Sequence, residues 1–129
     1  MRDPTADELE LYAAAREAAP GAYVPYSGFA VGAALRTATG AVITGVNIEN
    51  ASYGLTCCAE RTAIFTAIAA GERDFTAIAV HGDAASVPPC GACRQVLAEF
   101  APGLVVIHRQ DGAPVAAELA ELLPARFQL

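Results

Sequence analysis

Two short segments, Thr56-Cys57-Cys58-Ala59-Glu60-Arg61 and Pro89-Cys90-Gly91-Ala92-Cys93-Arg94, constrain the fold of this chain more than any other feature. If they meet, three thiols, one carboxylate and two guanidiniums converge on one point. The residues between them must then form a unit that leaves the point and returns to it, which a helix followed by a strand does. Only 17% of the chain is charged, and a Glu set between a Cys and a long apolar run is costly to bury unless it has a task.

Cys90 and Cys93 have the spacing that lets two thiolates from one tight turn grip a single tetrahedral metal, as in many zinc sites. A third ligand must come from elsewhere, and Cys58, opening another helix, is the best candidate. Thiolates at two helix N-termini are favoured by the positive dipole ends, which lower thiol pKa. Three protein ligands leave a fourth position for water, and that open position separates a catalytic zinc from a structural one. On a helix Cys57 projects about 100° away from Cys58, so one ion does not easily take both. The bland reading of Cys57 is a small buried apolar group. Glu60 diverges from Cys58 on the same helical turn, close enough to serve as a general base without being a ligand. Its bland alternative is a first-turn Glu that complements the helix dipole. Arg61 and Arg94 each follow a proposed ligand and are candidates for hydrogen bonding to sulfur, against a plain surface role. His81 and His108, on or at the ends of apolar strands, read as packed or surface residues rather than ligands.

The rest of the chain reads as one domain over residues 1–129. A first helix starts at Thr5-Ala6-Asp7 and stops at Pro20-Gly21, and Tyr23 to Gly28 is a loop. Phe29 to Arg36 and Ala41 to Asn47 form a hairpin. The polar loop Asn47 to Gly54 follows, either simple punctuation or, through Asn47 and Glu49, a source of hydrogen bonds to a polar ligand. Cys58 to Ala70 is a helix with apolar residues nearly all round, which predicts burial on most sides. Phe75 to His81 is a strand, Gly91 to Phe100 a helix and Leu104 to His108 a strand. A brief extended piece at Ala113 to Val115 precedes a last helix over Ala116 to Leu123. This order predicts an α/β fold, a three-layer α/β/α sandwich around a mixed five-stranded sheet. The ligand crevice of such a sheet lies at the strand-to-helix transitions, here Cys58 and Cys90.

Charge narrows the partners. A net charge of -6 with eight basic residues argues against a polyanionic partner, so nucleic acid and anionic membranes are disfavoured and a small or neutral substrate fits better. No apolar run reaches about 18 residues and Met1-Arg2-Asp3-Pro4 opens no signal peptide, so a soluble, cytoplasmic protein is expected. In a reducing compartment, four Cys favour metal or catalysis over disulfides. A hydrophobic content of 54% in so small a chain predicts apolar surface buried between subunits.

Taken together, Tyr26-Ser27-Gly28-Phe29-Ala30-Val31-Gly32-Ala33, Asn47-Ile48-Glu49-Asn50-Ala51-Ser52-Tyr53, Cys58-Ala59-Glu60-Arg61, Pro89-Cys90-Gly91-Ala92-Cys93-Arg94-Gln95 and Leu122-Leu123-Pro124 resemble the small, homotetrameric, zinc-dependent cytidine deaminases. The resemblance spans nearly the whole chain. It implies that Cys58, Cys90 and Cys93 bind Zn²⁺ and that Glu60 is the proton shuttle, the arrangement by which zinc deaminases drive attack of water at cytosine C4. It implies a pyrimidine-salvage enzyme acting on cytidine and deoxycytidine. Asn47 and Glu49 would hold the ribose, Phe29 the base, and Ala59 would also line the substrate site. Arg61 would temper the thiolate charge, and Tyr53 and Phe127 would reach a neighbour's pocket, so that the tetramer completes each active site. The chain departs from the family at Cys57, at the extra proline of Ser86-Val87-Pro88-Pro89, and in its short C-terminal end.

Three other readings compete. One is deamination of a cytosine nucleoside analogue such as blasticidin S, against which stands the ribose-type loop Asn47 to Tyr53. Another is a noncatalytic structural-zinc protein with Cys57 as fourth ligand, and the last is a redox dithiol. A deoxycytidylate deaminase is disfavoured because that resemblance leads one to expect His where Cys58 stands.

Overall fold

A computed structural model describes all 129 residues. Thr5 caps α1 (Ala6–Ala18): its Oγ1 accepts from Glu8 N while the Glu8 carboxylate accepts from Thr5 N at 2.9 Å. This reciprocal capping satisfies two donors that a helix start otherwise leaves unpaired. Arg2 closes the arrangement with two hydrogen bonds to the same carboxylate, at 2.8 and 2.9 Å.

The hairpin β1 (Val31–Thr37) and β2 (Val42–Val46) follows, then α2 (Ala59–Ala69), β3 (Phe75–Gly82), α3 (Gly91–Phe100), β4 (Val105–Gln110), β5 (Ala113–Glu118) and a single turn, α4 (Leu119–Leu122). The five strands form one sheet in the order β2-β1-β3-β4-β5. All neighbours are antiparallel except β3 and β4, which run parallel and are joined through α3. The expected mixed sheet is therefore present.

Alternation along the strands sends two sets of side chains to opposite faces. Ala34, Ala79 and Ile107 pack under Leu11, Tyr12 and Ala15 of α1. Leu35, Ile78, Val80 and Val106 pack under Ile64 of α2 and Leu97 of α3. Each fully buried Leu or Ile contributes about 1.5–3 kcal/mol. Helices lie close because glycines face them: a Cβ on Gly32 would come within 2.1 Å of Ala15 O in α1, and one on Gly45 within 2.5 Å of Ala59 O in α2.

Several boundaries differ from expectation. Phe29 precedes the first strand instead of opening it, because Phe29 O and Val31 N are both bonded to the Asn47 side chain. The last helix shrinks to Leu119–Leu122 because Ala116, Ala117 and Glu118 pair with Ile107, Val106 and Val105, so sheet pairing overrides the helical preference of alanine. Burial of α2 on most sides is not seen in the single chain: Ala59, Ala63, Ile64 and Ala67 are buried, but Phe65 is 46% exposed. His81 and His108 are packing residues: Tyr12 Oη lies 2.7 Å from His81 Nδ1, and His108 is buried on β4.

Candidate active site

Cys58 and Cys90 are the N-cap residues of α2 and α3, and Cys93 lies in the first turn of α3, fully buried. Because β2 and β3 flank β1 and both run antiparallel to it, the helices that follow them start at the same end of the sheet, and the three thiols converge. Cys58 Sγ lies 3.8 Å from Cys90 Sγ, which lies 3.5 Å from Cys93 Sγ, and all three sulfurs fall within 4.8 Å of one another. Four sulfurs set tetrahedrally at a zinc–sulfur distance of 2.3 Å stand about 3.8 Å apart, so the spacing and the soft donor set suit zinc. Cys57 stands outside this cluster. It is half-buried, and its sulfur accepts from Thr62 Oγ1 at 3.5 Å.

The charges around the sulfurs are arranged by α2 itself. Arg61, one turn beyond Cys58, donates through Nη2 to Cys58 Sγ and to Thr56 O, both at 3.2 Å. A hydrogen bond from Cys93, then Arg61, hold the Cys58 thiol down to about 5. Its neighbour Cys58 and burial push the Cys93 thiol up, and the bond to Cys58 raises Arg61. Arg94 does not touch a thiol. Its guanidinium donates to Pro89 O at 2.8 Å and Leu122 O at 2.7 Å, which ties the cysteine turn to α4. Its expected contact with sulfur is replaced because two unpaired backbone carbonyls lie nearer to hand.

Glu60 is 4% exposed, and burial pushes its carboxyl up to about 7, with the Cys58 charge acting in the same sense. It opens on a cavity of about 390 Å³ whose metal-side wall also carries Cys58, Ala59 and Cys90. That volume lies within the range of small-molecule sites. Phe29, Val31, Val80, Val87 and Tyr53 supply apolar lining, and Asn47, Glu49 and Ser27 the polar end. Among the expected substrate residues, Phe29, Asn47, Glu49, Tyr53 and Ala59 thus meet in one cavity. Phe127 does not: it is 69% exposed and lies by α3, where Gln95 Nε2 donates to its carbonyl at 3.0 Å.

The polar end is rigidly held. Asn47 bridges the strand start, donating to Phe29 O at 2.8 Å and accepting from Val31 N at 2.9 Å. Glu49 accepts from Tyr26 N and Ser27 N, each at 3.0 Å, and from Ser27 Oγ. Burial alone would raise the Glu49 carboxyl, but these donors outweigh it and hold it below its ordinary value. Ser27, Thr56, Val87 and Pro88 also line the cavity, and no local sequence signal marks them as site residues. The turn signal at Ser27-Gly28 marks a loop there, and nothing local says that it folds over Glu49.

Comparison with known proteins agrees with this geometry. The family described as the cytidine and deoxycytidylate deaminase zinc-binding region matches residues 5–109. The chain is 54% identical to a cytidine deaminase of Halalkalibacterium halodurans over 94% of each chain. Its fold superimposes on the crystal structure of a cytidine deaminase from Burkholderia pseudomallei with a TM-score of 0.89 at 49% identity, covering 96% of this chain and 100% of that one. A blasticidin-S deaminase of Bacillus cereus is more distant, 38% identical over 75% of this chain and 76% of its own length. With a zinc-compatible thiol cluster, a matching sheet and likeness over nearly its whole length, the chain belongs to the zinc-dependent cytidine and deoxycytidylate deaminase family.

Proposed function

We propose that the single domain of residues 1–129 hydrolyses cytidine and deoxycytidine to uridine and deoxyuridine with release of ammonia. The observation that carries the proposal is that a buried carboxylate, Glu60, opens on the same cavity as Cys58 and Cys90 of the three-thiol cluster. Cys58, Cys90 and Cys93 would hold zinc, which when bound supplies the Lewis acid that makes water nucleophilic at neutral pH. Arg61 offsets part of the negative charge that three thiolates bring. Glu60 takes a proton from the attacking water and delivers it to the pyrimidine ring nitrogen. A second proton passes through the same carboxylate to the amino group, which leaves as ammonia while the C4 carbonyl forms. Phe29 packs on the base, Asn47 and Glu49 bind the sugar, and Ala59 lies against the ligand beside Glu60.

Exposed Tyr53, Leu55, Phe65 and Phe127 favour a homotetramer whose neighbours cover them, with Tyr53 and Phe127 reaching an adjoining site. Four free thiols fit the reducing cytoplasm, and the product class fits pyrimidine salvage. The polar end built from Asn47 and Glu49 favours an ordinary nucleoside over blasticidin S. Ammonia release across cytidine, deoxycytidine, their monophosphates and blasticidin S tests this. The two nucleosides are expected to be the best substrates; preferential turnover of blasticidin S or a monophosphate contradicts the proposal.

A further inference from the structure

The polar end of the cavity is organised by a hydroxyl that no step of the proposed chemistry uses. Ser27 Oγ donates to Glu49 Oε2 and accepts from Phe29 N at 3.0 Å. The direction is fixed, because an ionised carboxylate only accepts and the Phe29 amide only donates. One hydroxyl therefore connects the residue placed against the sugar with the residue placed against the base. The connection continues through Phe29 O to Asn47 Nδ2 and from Asn47 Oδ1 to Val31 N.

Counting acceptors on Glu49 gives the chemical consequence. A carboxylate offers about four lone-pair positions. Tyr26 N, Ser27 N and Ser27 Oγ occupy three of them, and Glu49 is only 3% exposed while lining the cavity. Glu49 thus presents a ligand with one acceptor position, useful only to a hydroxyl or other donor. If Ser27 Oγ is lost, the backbone donors still hold Oε1, but Oε2 is free to turn and the cavity-facing position is no longer fixed.

We propose that Ser27 is a positioning residue for sugar recognition: its hydroxyl aims Glu49 Oε2 so that the site selects a nucleoside carrying a free 2′- or 3′-hydroxyl donor on its sugar ring. This rests on the reading of Glu49 as the sugar contact. The role is specific to binding, because Ser27 lies on the loop before β1 and touches neither Glu60 nor the thiols.

The test pairs Ser27→Ala and Ser27→Thr with two substrates, cytidine and 2′,3′-dideoxycytidine, which lacks both ring hydroxyls on the sugar. Loss of one hydrogen bond to a charged group predicts that Ser27→Ala raises KM for cytidine about tenfold or more, with kcat held within about threefold. The kcat/KM for dideoxycytidine stays within about threefold, since the variant cannot lose a contact that substrate does not make. Ser27→Thr, which keeps the hydroxyl, recovers most of the loss. Zinc content and melting temperature establish that the variants are folded, and Ser27→Cys replaces Ser27→Ala if the latter is not. Equal losses on the two substrates, or no loss on cytidine, overturn the proposal. A wild-type enzyme that turns over both nucleosides equally overturns it by a distinguishable route, because the sugar contact of Glu49 is then itself absent.

Discussion

Gly45→Ala probes whether the seating of α2 on the sheet sets the geometry of the site. A methyl at Gly45 would stand 2.5 Å from both Ala59 O and Ala63 N and 3.0 Å from Ala63 Cα. All three are backbone atoms of the helix that begins at Cys58 and carries Glu60, so no side chain can swing aside. Ordinary contact starts near 3.4 Å, so α2 and β2 must separate by about 0.9 Å at the helix start. Overpacking of this kind costs about 1–3 kcal/mol, or roughly 4–12 °C in melting temperature for a domain of this size. A displacement near 1 Å in a catalytic group costs about a hundredfold in rate. Gly32→Ala is the matched control. Its methyl would meet Ala15 O at 2.1 Å and Ala19 N at 2.6 Å, on the α1 face away from Glu60. Thermal melts, zinc content and ammonia release from cytidine measure both. Both variants should lose stability, whereas only Gly45→Ala should lose about a hundredfold in kcat/KM per zinc-loaded chain and Gly32→Ala should stay within about threefold. A folded, zinc-loaded Gly45→Ala enzyme with wild-type kcat/KM would refute the reasoning.

Two further outcomes follow from contacts at and away from the site. Cys57→Ser should keep one zinc per chain and full turnover, because Cys57 lies outside the thiol cluster, whereas Cys93→Ala should lose the metal; elemental analysis after dialysis distinguishes them. Acid stability should depend on Glu8, whose carboxyl Arg2 lowers from 4.5 to about 2 by hydrogen bonding, with the Thr5 amide assisting. A depressed folded pKa contributes stability that is fully present above about 4.5 and disappears as pH falls towards about 2. The melting-temperature gap between wild type and Glu8→Gln should therefore narrow over that window, and a gap that stays constant counts against the assignment.

Legibility in the sequence followed the range of the interactions. The Cys90/Cys93 spacing, the helix starting at Gly91 and the break after Ala70 are local, so the cysteine pair and the mixed sheet are legible from the residues, whereas the choice of Cys58 over Cys57 comes from the family resemblance. Ala116 to Glu118 could not be read as strand, because what decides their state is pairing with Val105 to Ile107 and not their own propensity. The contacts of Arg94 are not legible locally for a similar reason: one of its partners, Leu122 O, is 28 residues away. The contact of Ser27 is not legible locally because its partner Glu49 lies 22 residues on, and a Ser before a Gly reads locally only as a turn. Phe65 and Phe127 are apolar yet exposed, so hydrophobicity alone located no buried position for them within one chain.

The central claim is that Glu60 moves protons in a site whose metal is held by the three thiols without its help. Zinc stoichiometry and cytidine deamination measured together on Glu60→Ala test it most directly. The account predicts one zinc per chain, as in the wild type, with turnover reduced by several orders of magnitude. Unchanged turnover, or loss of the metal along with activity, would contradict it.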